Sequence, residues 1–211
     1  MNLFGILSIN SMKHTIIYLP GLGDHMKWLR RVQRRLFAGW RAFGVRVEFF
    51  PIEWSGGQQF DERLSQLLGR IDELHEQGMT VSLVGASAGG NAAIAAYAQR
   101  QDKIAGVVTI CGALQNTDTL PEAALKLNPR FKEAAKQFDA NLDSLDADAK
   151  SRIMTYRPYF DAIVLPKNAM IDGAKNRRAF AFGHLYAIGY CLNAKSYAIT
   201  RFLKRQSRRT S

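Results

Sequence analysis

Hydrophobic positions along this chain fall into two kinds of run that take turns. Short blocks rich in β-branched residues, "TIIYL" (15–19), "VRVEFF" (45–50) and "TVSLVG" (80–85), have the length and composition of strands. Between them, "WLRRVQRRLFAGWRAF" (28–43) repeats apolar residues at helical spacing, and a second helical pattern near 59–77 stops at Gly78. A helix of very small residues is predicted over "AGGNAAIAAYAQRQ" (88–101). "IAGVVTI" (104–110), "RIMTY" (152–156) and "AFAF" (179–182) read as strands four, five and six, and a helix from about 185 closes the pattern.

Strands separated by helices make βαβ units. The expected architecture is therefore a three-layer α/β/α fold with a mostly parallel six-stranded sheet and right-handed crossovers. The rhythm breaks once, between strands four and five, where residues 113–151 carry helical pattern and no strand. That insertion reads either as a lid or as a crossover helix with a long linker. Neither repeats nor low-complexity tracts divide the chain, so one domain is expected over 1–211. Within it, residues 1–13 read as a loose N-terminal extension and 203–211 as a disordered basic tail.

Composition changes this picture little, and charge changes it more. The two cysteines, Cys111 and Cys191, sit in apolar runs, which predicts buried thiols in a reducing, cytoplasmic setting rather than a disulfide framework. No apolar run approaches the roughly 20 residues that span a bilayer. The net charge is +11, from 29 basic and 18 acidic residues. Six cations (Lys27, Arg30, Arg31, Arg34, Arg35 and Arg41) fall in the first helical pattern, and more fall in the tail. Such a surface is either a solvated helix face or a footprint for an anionic partner, a membrane surface or nucleic acid. No nucleic-acid-binding motif accompanies it.

The chemistry begins at "GASAGG" (85–90), directly after the third strand and before a helix. Gly85, Ser87 and Gly89 fit G-x-S-x-G, whose glycines permit a turn sharp enough to hold the serine out at the end of the sheet. A serine hydroxyl needs a base. Of four histidines, His14 and His75 read as surface residues, and His25 lies near the first strand's loop, placed to line a site rather than to act as base. His184 follows the last strand, and in a parallel sheet every strand's carboxyl end shares one edge, so it meets Ser87 there. The histidine in turn needs an acid. Asp161, in the apolar "YFDAIVLP" after strand five, is preferred over Asp172, while Asp139, Asp143, Asp146 and Asp148 look solvated.

With "IIYLPGLGD", "LVGASAGG", "YFDAIVLP" and "FGHLYAI" in the order Ser87, Asp161, His184, the chain from about 14 to about 200 resembles the α/β-hydrolase superfamily. The resemblance implies an oxyanion hole from the backbone N–H of Leu22 or Gly23, in the loop after the first strand, and that of Ala88. Proline stands where such loops often carry histidine. Gly21, Gly23 and His25 are then expected around the substrate. The antiparallel hairpin that usually opens the family's core is missing, which implies a minimal six-strand sheet ordered 2-1-3-4-5-6. Its topological switch lies between strands one and three, where Ser87 and the oxyanion loop both end.

The implied activity is hydrolysis of small or medium carboxylic esters through an acyl-enzyme, with no metal or organic cofactor. An acyltransferase, thioesterase or peptidase would use the same triad, and an idle hydrolase-fold protein binding anionic partners is the other class.

Overall fold

The computed structural model describes residues 13–56, 59–114 and 122–208, with backbone alone for 122–124. The β-branched runs form β1 (His14–Leu19), β2 (Arg46–Phe49), β3 (Thr80–Ala86), β4 (Ile104–Ile110) and β5 (Ile153–Arg157), joined at the edge by β6 (Lys175–Arg178). All pairings are parallel, and the order is β2-β1-β3-β4-β5-β6. The inner strands are continuous apolar runs because both of their faces are covered.

Alternation along each strand splits the core in two. Ile17, Leu19, Leu83, Val107 and Ile153 face one layer, and Ile16, Tyr18, Val84, Val108 and Met154 the other. The first layer holds α2 (Phe60–Glu76), α3 (Gly89–Gln99) and α5 (Pro129–Asp143). The second holds α1 (Lys27–Ala38), α7 (His184–Ala194) and α8 (Ser196–Ser207). Two short helices, α4 (Glu122–Leu127) and α6 (Ala147–Ser151), flank α5. In α3, Ala92, Ala93, Ala95 and Ala96 are all buried. Their small side chains let this helix lie close against β3 and β4. Among the described residues no helix is long and apolar enough to cross a membrane.

Four readings of the sequence change. The sixth strand is the polar "KNRR" (175–178), not "AFAF" (179–182). As an edge strand it pairs with β5 alone, so polar residues are tolerated. In "AFAF", Ala179 and Ala181 turn into the core, Phe180 and Phe182 face solvent, and a single bridge joins Phe160 to Phe182. The closing helix is two, broken at Lys195. Residues 204–207, read as tail, are helical because Phe202, Leu203 and Gln206 seat that last turn in the core. His14 is not on the surface: it is 6% exposed, with Nε2 2.9 Å from Ser82 Oγ.

The predicted 28–43 helix ends as a 3-10 turn (Gly39–Phe43) closed by left-handed Gly44 at φ 67°. Of the predicted insertion, residues 115–121 lie outside the described residues, as do 1–12 of the N-terminal extension and 209–211 of the tail. The rest of the insertion contributes Phe131, Ala134 and Phe138 of α5 to the core, against α3.

Candidate active site

β3 delivers the chain to Ser87 by ordinary strand geometry, and there the backbone turns left-handed at φ 52°. A non-glycine residue held this way costs on the order of 1–3 kcal/mol, so the surroundings must enforce it. They do. A Cβ on Gly85 would lie 2.3 Å from the Gly89 carbonyl oxygen, and one on Gly89 would lie 2.0 Å from that of Leu19. Both positions therefore exclude every other residue. The Ser87 amide donates to the Ile110 carbonyl at 2.9 Å, tying the turn to the end of β4.

His184 is the first residue of α7, reached through left-handed Gly183 at φ 90°. Its Nε2 is 2.8 Å from Ser87 Oγ and its Nδ1 is 2.7 Å from Asp161 Oδ2. Asp161 is 2% exposed, and its Oδ1 accepts from the amides of Ile163 at 2.8 Å and Val164 at 3.0 Å. Burial pushes the Asp161 carboxyl up, but the bonds from His184, Val164 and Ile163 more than offset it and hold the group below the usual carboxylate range. An ionised Asp161 fixes the His184 proton on Nδ1, so the Nε2 lone pair faces the serine O–H.

The loop after β1 completes the surroundings. A Cβ on Gly21 would lie 2.8 Å from Ser87 Cβ, so the bare backbone of this loop rests on the serine. The amides of Leu22 and Ala88 donate to no backbone carbonyl among the described residues. A recess of about 180 Å³ lies above Ser87 and His184, walled by Gly21, Leu22, Gly23, Leu29, Ile163 and Leu185. Larger recesses run beside α1 and α8, but they are open, lined by arginines, and contain none of these groups.

The structure thus brings together Ser87, Asp161, His184, Gly21, Leu22 and Gly23, with Ala88 next to the serine in the chain but not in the recess wall, and it leaves His25 outside. His25 is exposed in the turn before α1 and is not among the residues lining the recess. Asp172 is exposed in a turn, and His75 is exposed late in α2.

Three supporting residues escaped the sequence reading. Asp24 is 2% exposed, and its Oδ2 accepts from the backbone amide of Glu53. Burial pushes this carboxyl above its ordinary value, against the opposing pull of the Glu53 and Trp54 amides. Trp54 is fully buried and donates Nε1–H to the Pro20 carbonyl at 2.9 Å. Arg130 of α5, 1% exposed, donates to the carbonyls of Ile52 at 2.7 Å and Glu53 at 2.6 Å. The loop beside Ser87 is therefore braced on residues 52–54, which are braced in turn on α5. A lone aspartate after a glycine-rich loop was the available signal for Asp24. The other two depend on pairings 34 and 77–78 residues apart.

Cys111 closes β4 at φ 52°, buried, with its thiol pushed up by burial. It is the one residue whose ligand atom joins Asp161 and His184 in a cluster able to hold a metal among the described residues, all within 4.8 Å. Asp161 and His184 are already bonded to each other, so the trio is not a ready donor set.

No protein-family model and no curated protein matches this sequence. Solved structures do match in fold. Est1E from Butyrivibrio proteoclasticus aligns with a TM-score of 0.64 at 15% identity, covering 92% of this chain and 88% of its own. Carboxyl esterase 2 from the mycorrhizal fungus Tuber melanosporum aligns with 0.65 at 15% identity, over 93% and 80%. The monoacylglycerol lipase of Paleococcus ferrophilus aligns with 0.55 at 16% identity, over 91% and 94%. At these identities the likeness is one of architecture: the chain has the α/β-hydrolase fold.

Proposed function

We propose that this chain, an α/β-hydrolase in fold, is a serine hydrolase that cleaves carboxylic esters through an acyl-enzyme. The observation that carries the reading is the run of hydrogen bonds from Ser87 Oγ to His184 Nε2 and from His184 Nδ1 to Asp161. An acyl carbonyl enters the recess with its oxygen toward the Leu22 and Ala88 amides. Ser87 Oγ forms a bond to the carbonyl carbon as its proton passes to His184 Nε2. Asp161 holds the imidazole in place and stabilises the imidazolium that results. The two amides bind the oxyanion, each worth about 2.7–4 kcal/mol in the transition state.

Collapse of the tetrahedral intermediate breaks the ester C–O bond, and His184 gives its proton to the departing alcohol. Water then attacks the acyl-serine carbonyl as His184 takes its proton, the C–Oγ bond breaks, His184 returns the proton to Ser87 Oγ, and the acid leaves. The recess of about 180 Å³ is below the usual range for drug-sized ligands, so the group it takes is a small acyl chain. The names of the structural neighbours, an esterase and a lipase among them, agree with ester chemistry.

The test is turnover of short p-nitrophenyl esters. Wild-type protein is expected to hydrolyse acetate and butyrate esters and to slow as the acyl chain lengthens. Ser87→Ala is expected to fall by several orders of magnitude while keeping its fold. Turnover that survives Ser87→Ala would end the reading.

A further inference from the structure

Acidic and basic side chains are divided unequally between the two layers. On the α2 and α3 side several cations are matched: Arg70 pairs with Glu48 and Glu73, and Asp72 pairs with Arg100 and Lys103. The α1, α7 and α8 side is not matched. The stretch from Met26 to Phe43 contains six basic residues and no acidic one, and no acidic residue occurs after Asp172. Among the described residues, none of the basic side chains of α1 forms an ion pair.

Apolar exposure is equally lopsided. Of thirteen large hydrophobic side chains exposed among the described residues, eleven lie in three segments, 26–32, 159–165 and 180–186; Leu127 and Tyr197 are the other two. These segments also supply Leu29, Ile163, His184 and Leu185 to the recess wall, so the exposed groups stand on the same three segments that border its mouth. Trp28 (58% exposed) and Val32 (45%) stand on α1 with Arg31 and Arg35, at spacings of three and four that make one helix face. Leu185 and Tyr186 (82%) stand on α7, which packs against α1, and Phe182 (70%) precedes His184.

From this coincidence we infer that the protein docks on an anionic phospholipid surface, with the outer face of α1 and these apolar groups against the lipid and the Ser87 recess opening onto it. Exposed apolar groups edged by unpaired cations are what a negatively charged interface takes up. The apolar groups enter the acyl boundary while arginines meet the headgroups, each cation contributing through the surface potential. A nucleic acid would take the cations but would leave the apolar groups unexplained. Docking itself stands on surface and charge alone. That the docked protein draws an acyl substrate from the lipid rests on the hydrolase reading above.

Co-sedimentation with vesicles separates the two, because it reads binding without turnover. Ser87→Ala protein is used so that no lipid is consumed, and Trp28 serves as reporter because Trp40 and Trp54 are buried. With an equimolar mixture of phosphatidylcholine and phosphatidylglycerol, the protein is expected to sediment and its Trp emission to shift to the blue. With phosphatidylcholine alone it stays in solution, and rising salt weakens the bound state.

Reversing Arg31 and Arg35 to Glu is expected to lower partitioning by about thirtyfold or more. Trp28→Ser removes the shift and weakens binding. Both variants keep wild-type turnover of a soluble short ester when placed in the otherwise native protein. Equal binding to both vesicle types, or none, overturns the inference. So does preferential binding to duplex DNA without a Trp shift, or self-association that buries the apolar groups.

Discussion

Each group at the candidate site is set by a neighbour that would be costly to change. Ser87 sits in a strained left-handed turn tied to β4 by its amide, and the close approaches at Gly85 and Gly89 leave no room there for a side chain. His184 is oriented by Asp161, and Asp161 is kept ionised by two backbone amides and the imidazole. These three residues could be read from the sequence because each follows a strand of a parallel sheet, and chain order supplies the rest. Asp24 could not, because its partner lies 29 residues away in a loop that periodicity does not place. In the proposed mechanism Asp24 is a positioning residue, acting only through the Pro20–Asp24 backbone that its bond to the Glu53 amide holds. Asp24→Ala is therefore expected to lower kcat for short esters by about tenfold to a hundredfold with little change in KM, since a displaced oxyanion donor is felt in the transition state. Asp24→Asn, which keeps an acceptor oxygen for the Glu53 amide, is expected to recover most of the loss. Steady-state kinetics on both variants decides it, and a loss confined to KM would place Asp24 in ground-state binding instead.

At the scale of elements, strands one to five were legible within one or two residues, because buried parallel strands read as unbroken β-branched runs. The sixth was misplaced for the converse reason. "KNRR" is polar because an edge strand is half-solvated, while "AFAF" imitates a strand by alternating core alanines with exposed phenylalanines. The segment between β4 and β5 stayed ambiguous because helical pattern alone does not say what a helix packs on. We propose that α5 is a fixed crossover helix rather than a moving lid. Phe131, Ala134 and Phe138 are buried against α3, and Arg130 reaches the loop that braces residues 20–24. Phe138→Ala is then expected to destabilise the fold by about 3 kcal/mol, measured by denaturant unfolding. Amide exchange in α5 is expected to be as slow as in α3. Fast exchange in α5 alone would restore the lid.

Over the whole molecule, strand order and charge carry the argument. The order β2-β1-β3-β4-β5-β6 puts the switch point between β1 and β3, so the Pro20–Asp24 loop and the serine leave the sheet side by side. The resemblance implied this order before the fold was seen, whereas the split of charge between layers needed the fold. Burial, with the nearby charge of Lys204, drives His14 down from 6.5 to about 4. The unfolded chain then binds the proton first as pH falls. The stabilisation is whole above 6.5 and is lost progressively toward about 4, on the order of 3 kcal/mol in all. His14→Gln is expected to flatten that part of the stability profile, read by denaturant unfolding across the interval. The central claim, that Ser87 is the nucleophile, is tested most directly by mapping the adduct of a fluorophosphonate probe by peptide mass spectrometry. The expected result is a single phosphonylated peptide containing Ser87, lost in Ser87→Ala and strongly slowed in His184→Ala. A folded protein that hydrolyses esters yet carries the adduct on another residue, or none, would contradict it.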